Sequence, residues 1–373
     1  MRYYIIAGEA SGDLHGSALI RALKRIDNDA EFRFWGGDMM LAAGGTMVRH
    51  INKTNFMGFW EVLMNIRTVF KNLRLCRKDL ARYKPDGLIL IDYPGFNMRI
   101  ARFANRLGIK VFYFISPKVW AWNQSRVYKI KKYVDHMLTI FPFETDFYRK
   151  FSYEVDYVGN PLIDEIEERA KQDEDFSVFI RKNCLPDKPL IAILPGSRLH
   201  EIDNCLPIML SITSHYKDYQ FVIAGAPSVD PDVYAKYTGK NIPVIFNQTY
   251  QLLKHSAASI IVSGTATLEA ALLEVPMVVC YRGSQISYHI ARYFIKVKYI
   301  SLVNLIMERE IVNELIQNDF NRKSVKAELD KMIGDQEYRT RMVDNFKKLR
   351  SLLGEPGAAE RAANKIYGYI INT

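Results

Sequence analysis

The sequence predicts an α/β protein of two doubly wound domains, each a parallel sheet covered by helices, facing one another across a cleft. Three observations carry this expectation. Short apolar runs rich in β-branched and aromatic residues alternate with stretches of helical spacing along most of the chain, the mark of successive βαβ units with right-handed crossovers. The alternation breaks at the acidic, apolar-poor stretch 164–175 and resumes with a new series of strands. Finally, 373 residues at 49% apolar content are more than one core holds, since single cores stop growing near about 250–300 residues.

Strands are expected at 3–7, 32–35, 87–92, 110–115, 136–140 and 155–158, with helices at 14–26, 59–83, 98–107, 125–133 and 144–150 between them. These make a first domain spanning 1–163. The second series, 190–194, 220–224, 244–246, 259–262 and 277–281, belongs to a domain spanning 176–350. Beyond the apolar segment 295–306 the chain is helical to its end, broken only by Gly354, Glu355, Pro356 and Gly357. The last helix, 356–373, is expected to pack back on the first domain.

The formal net charge of +10 is unevenly placed: the first 160 residues hold 25 Lys/Arg against 15 Asp/Glu, and the rest balances at 26 of each. The first half therefore suits an acidic partner, whether nucleic acid, anionic lipid head groups or a phosphorylated substrate. The chain opens on a strand rather than a basic, apolar leader, and no apolar run approaches the ~20 residues needed to span a bilayer. Cys76, Cys184, Cys205 and Cys280 are widely separated and form no C-x-x-C pair, which fits a reducing, cytosolic compartment better than a disulfide framework.

In doubly wound sheets, ligands bind beyond the carboxyl ends of the strands. The stretch from Ser263 to Leu273 joins an apolar strand to a helix; Gly264 and Thr265 open that helix, and Glu269 lies about one turn inside it. Helix-start N–H groups favour a phosphate, and a carboxylate one turn on can accept from sugar hydroxyls. Equally, the glycine serves only the turn. After the 190–194 strand come Pro195, Gly196, Ser197 and Arg198, where the guanidinium suits a diphosphate or pairs with Glu201.

In the first half, the strand 87–91 ends in Asp92, Tyr93, Pro94, Gly95, Phe96 and Asn97. Asp92 is the general-base candidate, because burial would raise its pKa towards that of a proton acceptor working near neutrality. The alternative is a turn aspartate bonding its own backbone. The loop Gly8, Glu9, Ala10, Ser11, Gly12, Asp13 is glycine-rich but lacks the G-x-G-x-x-G spacing, which disfavours a nicotinamide or flavin cofactor; Ser11 or Asp13 also fits an N-cap. Trp120 and Trp122, in the loop after 110–115, fit either stacking on a sugar or packing at the domain edge. The seven histidines are scattered, and the D-x-D patterns at 27–29, 173–175 and 230–232 lie in polar or helical stretches, so no metal site and no cofactor are expected. Within the expected helix 59–83, Phe59, Leu63, Ile66, Phe70 and Leu73 recur at helical spacing beside Trp60, with Arg67, Lys71, Arg74, Arg77 and Lys78 flanking them. That pattern fits an interfacial helix lying in anionic head groups, or an ordinary core helix.

Taken together, the segments 8–13, 91–97, 116–122, 141–144, 194–198, 263–269 and 299–304 resemble the lipid-A-disaccharide synthases, glycosyltransferases with two Rossmann-like domains (GT-B architecture). The resemblance runs nearly end to end. It implies transfer of a diacylated glucosamine from UDP-2,3-diacylglucosamine to 2,3-diacylglucosamine 1-phosphate (lipid X), with inversion and without an essential metal. It makes Asp92 the base and puts Gly196, Ser197, Arg198, Gly264, Thr265, Glu269 and Asn304 on the UDP-sugar. Gly8, Glu9, Ser11, Gly12, Asp13 and Trp120 then face the acceptor, and Phe59, Trp60, Leu63, Ile66 and Phe70 the cytoplasmic surface of the inner membrane. Nucleic acid is not an expected partner; a homodimer is an allowed assembly. The chain departs from many relatives in having Gly95 in place of a second aspartate and Asn160 in place of a histidine. The rival expectations are another UDP-sugar enzyme of the same fold, such as a UDP-N-acetylglucosamine 2-epimerase, and a non-catalytic protein binding anionic membrane.

Overall fold

The structure is a computed structural model describing residues 1–53, 66–239, 242–284 and 297–372. It forms two compact units, Met1–Pro161 with Glu355–Thr373, and Leu162–Gly354.

The first unit holds β1 (Arg2–Ala7), β2 (Glu31–Gly36), β3 (Thr46–His50), β4 (Gly87–Ile91), β5 (Lys110–Phe114), β6 (His136–Thr139) and β7 (Asp156–Tyr157) in one sheet of order β3-β2-β1-β4-β5-β6-β7. Every pairing is parallel, with Ile5 beside Phe34 on one side and Ile89 on the other. Because side chains alternate along a strand, Tyr4, Ile6, Leu88 and Leu90 join one core with the helices Ile66–Tyr83 and Pro94–Arg106. Tyr3, Ile5, Ile89 and Ile91 join the other, with Ala10–Ile26 and Ala358–Ile371. Strands apolar on both faces are what a sheet covered by two helix layers requires.

β3 was not expected: Met47 and Val48 are its apolar residues, and none of the five is fully buried, as suits an edge strand. β4 and β5 each stop one residue short of expectation, because Asp92 (φ 42°) and Ile115 (φ 67°) turn into the left-handed region. The stretch read as a separator is also more ordered than its composition suggested. Pro161–Ala170 is a helix anchored by buried Ile163 and Ile166, and its Glu167 bonds Arg350 at 2.9 Å within the second unit.

The second unit holds β8 (Leu190–Leu194), β9 (Gln220–Gly225), β10 (Val244–Phe246), β11 (Ser256–Val262), β12 (Met277–Tyr281) and β13 (Glu314–Ile316), ordered β10-β9-β8-β11-β12-β13 and all parallel. Among the described residues no helix is long and apolar enough to cross a membrane.

The C-terminal helix Ala358–Ile371 lies on Ala10–Ile26 in the first unit. Ala359, Ala362 and Ala363 allow the close approach, Ile366 is fully buried, and Arg25 meets Glu360 at 2.8 Å. All four tryptophans belong to the first unit's stretch of sequence, so their fluorescence reports on that unit alone. Ile366→Ala is expected to cost about 2–5 kcal/mol and to lower the urea midpoint followed by tryptophan fluorescence. An unchanged midpoint would show that this helix adds nothing to the unit's stability.

Candidate functional site

Strand order reverses beside β1 in the first unit and beside β8 in the second, and ligand crevices open at such switch points. In the first unit the reversal sets the loop after β1 against the loop after β4. Their contact is close: Gly8 lies under the ring of Tyr93, and a Cβ there would collide with it. Asp92 and Tyr93 both take left-handed conformations (φ 42° and 46°), costly for residues with side chains. Neighbours hold that shape: Tyr113 Oη donates to the Asp92 carbonyl, and Asn97 Nδ2 donates to the carbonyls of Asp92 (2.8 Å) and Ile91 (3.2 Å). The Asp92 carboxylate takes an N–H bond from Tyr93, yet burial pushes its pKa up, opposed by the charge of Lys118 and that bond. Lys118, exposed on the neighbouring loop, drew no notice in the sequence because nothing local ties it to Asp92.

Other residues expected to face the acceptor have structural roles. Asp13 is buried, and its carboxylate accepts from the N–H groups of Gly37 (2.6 Å), Met39 (3.0 Å) and Met40 (3.1 Å), capping the helix Asp38–Ala43. The sequence suggested a cap, but for a different helix. Trp120 is buried, edge-on to Phe143 with centroids 5.0 Å apart, and donates to Glu144 at 3.2 Å. It packs the core of its loop and offers no open face for a sugar. Glu144, held at about 7 by burial against the N–H groups of Phe141 and Ile140, completes that cluster. Gly12 is buried against Ala7, and Glu9 and Ser11 remain towards the surface. Gly95 is exposed with open space where a Cβ would point, so an aspartate would fit there, and Asn160 is buried with Nδ2 on the Ile140 carbonyl at 3.2 Å.

In the second unit the reversal sets the loop after β8 beside the loop after β11. Gly196 needs its φ of 100°, and Glu201 reaches back to accept from Ser197 N (3.0 Å) and Arg198 N (3.3 Å). The Arg198 guanidinium, 62% exposed, lies 3.7 Å from Glu201, the pairing the sequence left open. Gly264 is extended (φ 175°) with open space around it, and Thr265 is exposed at the start of the helix Thr265–Leu272. Glu269, largely buried with its pKa pushed up, is engaged by Arg169 at 3.0 Å. Asn304 departs from expectation: it is fully buried, its amide donating to Val312 O and Glu314 while its carbonyl accepts from Ile311 N and Val312 N. Every hydrogen-bonding position of that side chain is taken, so it shapes the loop rather than reaching a ligand.

The sequence missed a pocket of ≈ 500 Å³ in this unit, where Asn247, Gln248, Tyr250 and Gln251 meet Arg169 and Glu174. Gln251 Oε1 and Glu174 Oε1 are buried there without a hydrogen-bond partner, two acceptors suited to N–H or O–H donors. Only folding brings them together, because Glu174 lies in the loop before the helix Phe176–Lys182 and Gln251 in the helix Thr249–Lys254.

A family model described as lipid-A-disaccharide synthetase matches residues 3–365. The chain belongs to that family. It is 38% identical to the lipid-A-disaccharide synthase of Syntrophus aciditrophicus, covering 96% of this chain and 95% of that protein, and 36% identical to the one of Geobacter sulfurreducens, covering 97% and 95%. In fold it is similar to a putative UDP-N-acetylglucosamine 2-epimerase from Listeria monocytogenes (TM-score 0.72, 12% identity, covering 100% and 97%). It is likewise similar to CalG4, the calicheamicin glycosyltransferase (TM-score 0.63, 16% identity, covering 100% and 98%). The α/β architecture with two parallel sheets is thus that of GT-B glycosyltransferases and epimerases.

For this family member, two substitutions separate support from chemistry. Asp13→Ala leaves three N–H groups without their acceptor and should lower stability by about 2–3 kcal/mol, measured by denaturant unfolding. Asn97→Ala releases the carbonyl clamp behind Asp92; with Asp92 as the base proposed below, it should lower kcat roughly 10–100-fold, because small misplacements of a reacting group carry that cost, with KM little changed. Unaltered kcat in Asn97→Ala would show that the clamp does not matter.

Proposed function

We propose that the chain is an inverting glycosyltransferase joining UDP-2,3-diacylglucosamine to 2,3-diacylglucosamine 1-phosphate, giving a β-1′,6-linked disaccharide 1-phosphate and UDP. The observation that carries the site assignment is Asp92 at the first sheet's switch point, its carboxyl pKa pushed up by burial, in a chain of the lipid-A-disaccharide synthetase family. Asp92 removes the proton from the acceptor's 6-hydroxyl as that oxygen bonds to the donor's anomeric carbon. The bond from that carbon to the diphosphate breaks with inversion, and UDP departs carrying the electron pair. Arg198 and the N-terminus of the helix Thr265–Leu272 receive its growing negative charge. The polar pocket beside Arg169 suits the uridine, with Gln251 and Glu174 accepting from base or ribose. Both substrates are acylated, so the enzyme works at a membrane surface.

The fold neighbours are epimerases as well as glycosyltransferases, so architecture alone does not choose between these activities. UDP release should require both an acylated UDP-glucosamine and the acylated phosphate acceptor. Turnover of unacylated UDP-N-acetylglucosamine alone would favour the epimerase. Asp92→Ala should reduce turnover by about 10²–10⁴-fold with UDP affinity intact, and near-normal turnover would eliminate it as base. Arg198→Ala should weaken UDP binding about 10–100-fold, the scale of a charge-assisted hydrogen bond.

The pH dependence follows from the sign of the shift. Asp92 must be ionised to act and burial raises its pKa, so kcat/KM should fall on the acid side at a higher pH than an exposed aspartate would give. Lys118 lowers the Asp92 pKa, so Lys118→Ala should move that limb to higher pH. A shift to lower pH, or none, would remove Lys118 from the electrostatics of the base.

A further inference from the structure

The helices Ile66–Tyr83 and Pro94–Arg106 lie on the same face of the first sheet, with Phe70, Arg74 and Arg77 along the exposed side of the first. Between the two helices is a concavity of ≈ 210 Å³ lined by Arg77, Arg99, Arg102, Phe103 and Arg106. Arg99, Arg102 and Arg106 share one helix face by their i, i+3, i+7 spacing. Arg77 reaches across from the other helix, its guanidinium 5.7 Å from the centre of the Phe103 ring, and Arg99 Nη1 is fixed on the Gly95 carbonyl at 2.7 Å. Among the described residues no carboxylate forms an ion pair with any of these four arginines.

Four guanidinium groups converging without a counter-charge repel one another, and a phosphate answers this with oxygens that each fork can bind. We infer that this concavity is a phosphate site, and that the phosphate it takes is the head group of an anionic phospholipid. The lipid source is favoured over a soluble anion by what surrounds the site. Phe70 is 65% exposed among Arg67, Lys71, Arg74 and Arg77, and an aromatic projecting from a cationic helix face suits a bilayer interface. Leu107, 48% exposed, lies at the other helix's end. The site rests on the view that the enzyme works at a membrane, but it is separate from the chemistry at Asp92.

The test compares sedimentation of the full chain with phosphatidylcholine vesicles and with vesicles also containing phosphatidylglycerol. Arg102→Gln/Arg106→Gln should lose affinity for the anionic vesicles by about fivefold per arginine, whereas Arg21→Gln/Lys24→Gln, on the helix of the sheet's opposite face, should not. Parent-like binding by the first variant, or equal loss by the second, overturns the site. Inorganic phosphate at constant ionic strength should leave vesicle binding in place; displacement by it would make this a soluble-anion site and overturn the lipid assignment. Turnover of Arg102→Gln/Arg106→Gln on detergent-dispersed substrates should match the parent, and its loss would place these arginines in the reaction instead. Absence of turnover in the parent would sink the glycosyltransferase assignment while leaving the vesicle result to stand by itself.

Discussion

The reversal of strand order beside β1 and β8 is the constraint on which the rest depends. A parallel sheet whose strands are buried on both faces keeps its chemistry at the carboxyl edge, since elsewhere the backbone is paired and the side chains are packed. The reversal parts the flanking helices there and brings together loops that are far apart in sequence. Residue 8 thus lies under the ring of residue 93, and the loop at 196–198 lies beside the one at 264–265.

A second regularity governs these edges: backbone amides there are held by carboxylates from helices and, in one case, a strand. Asp13 holds Gly37, Met39 and Met40; Glu144 holds Ile140 and Phe141; Glu201 holds Ser197 and Arg198; Glu314 holds Ile300 and Ser301. Each carboxylate satisfies donors that a strand end or helix start leaves without partners. Asp92 differs, because it is chiefly its carbonyl that the surroundings clamp. Its carboxylate takes the Tyr93 N–H, so a rigid backbone presents a charge that burial destabilises. Such strain collects at the edge: Asp92, Tyr93, Ile115, Asn247 and Gln317 all follow strands and all have positive φ.

Much of this was legible beforehand. Among the described residues, the apolar runs identified eleven of the thirteen strands, and the glycine-bearing loops do follow them at the carboxyl edges of the two sheets. The two missed strands, β3 and β13, are edge elements with few fully buried residues, where packing decides pairing and local pattern carries little signal. Asp13, Trp120 and Asn304 were expected near ligands because polar or aromatic residues in strand-end loops suit that role. Their burial and hydrogen bonds give them structural work, and nothing in their immediate sequence distinguishes the two uses.

The amino-acid order by itself determined the fold class, the chain's division near its middle, the concentration of positive charge in the first half and the position of Asp92 and Arg198 just beyond the carboxyl ends of their strands. These follow from local periodicity, composition and the position of a residue relative to its own strand. Tertiary structure alone decided which loops became neighbours, that Lys118 faces Asp92, that Arg169 takes up Glu269, and that arginines of two helices share one concavity. The reason is physical: strand pairing and helix packing join segments tens of residues apart, and the partner a buried polar group finds depends on that assembly.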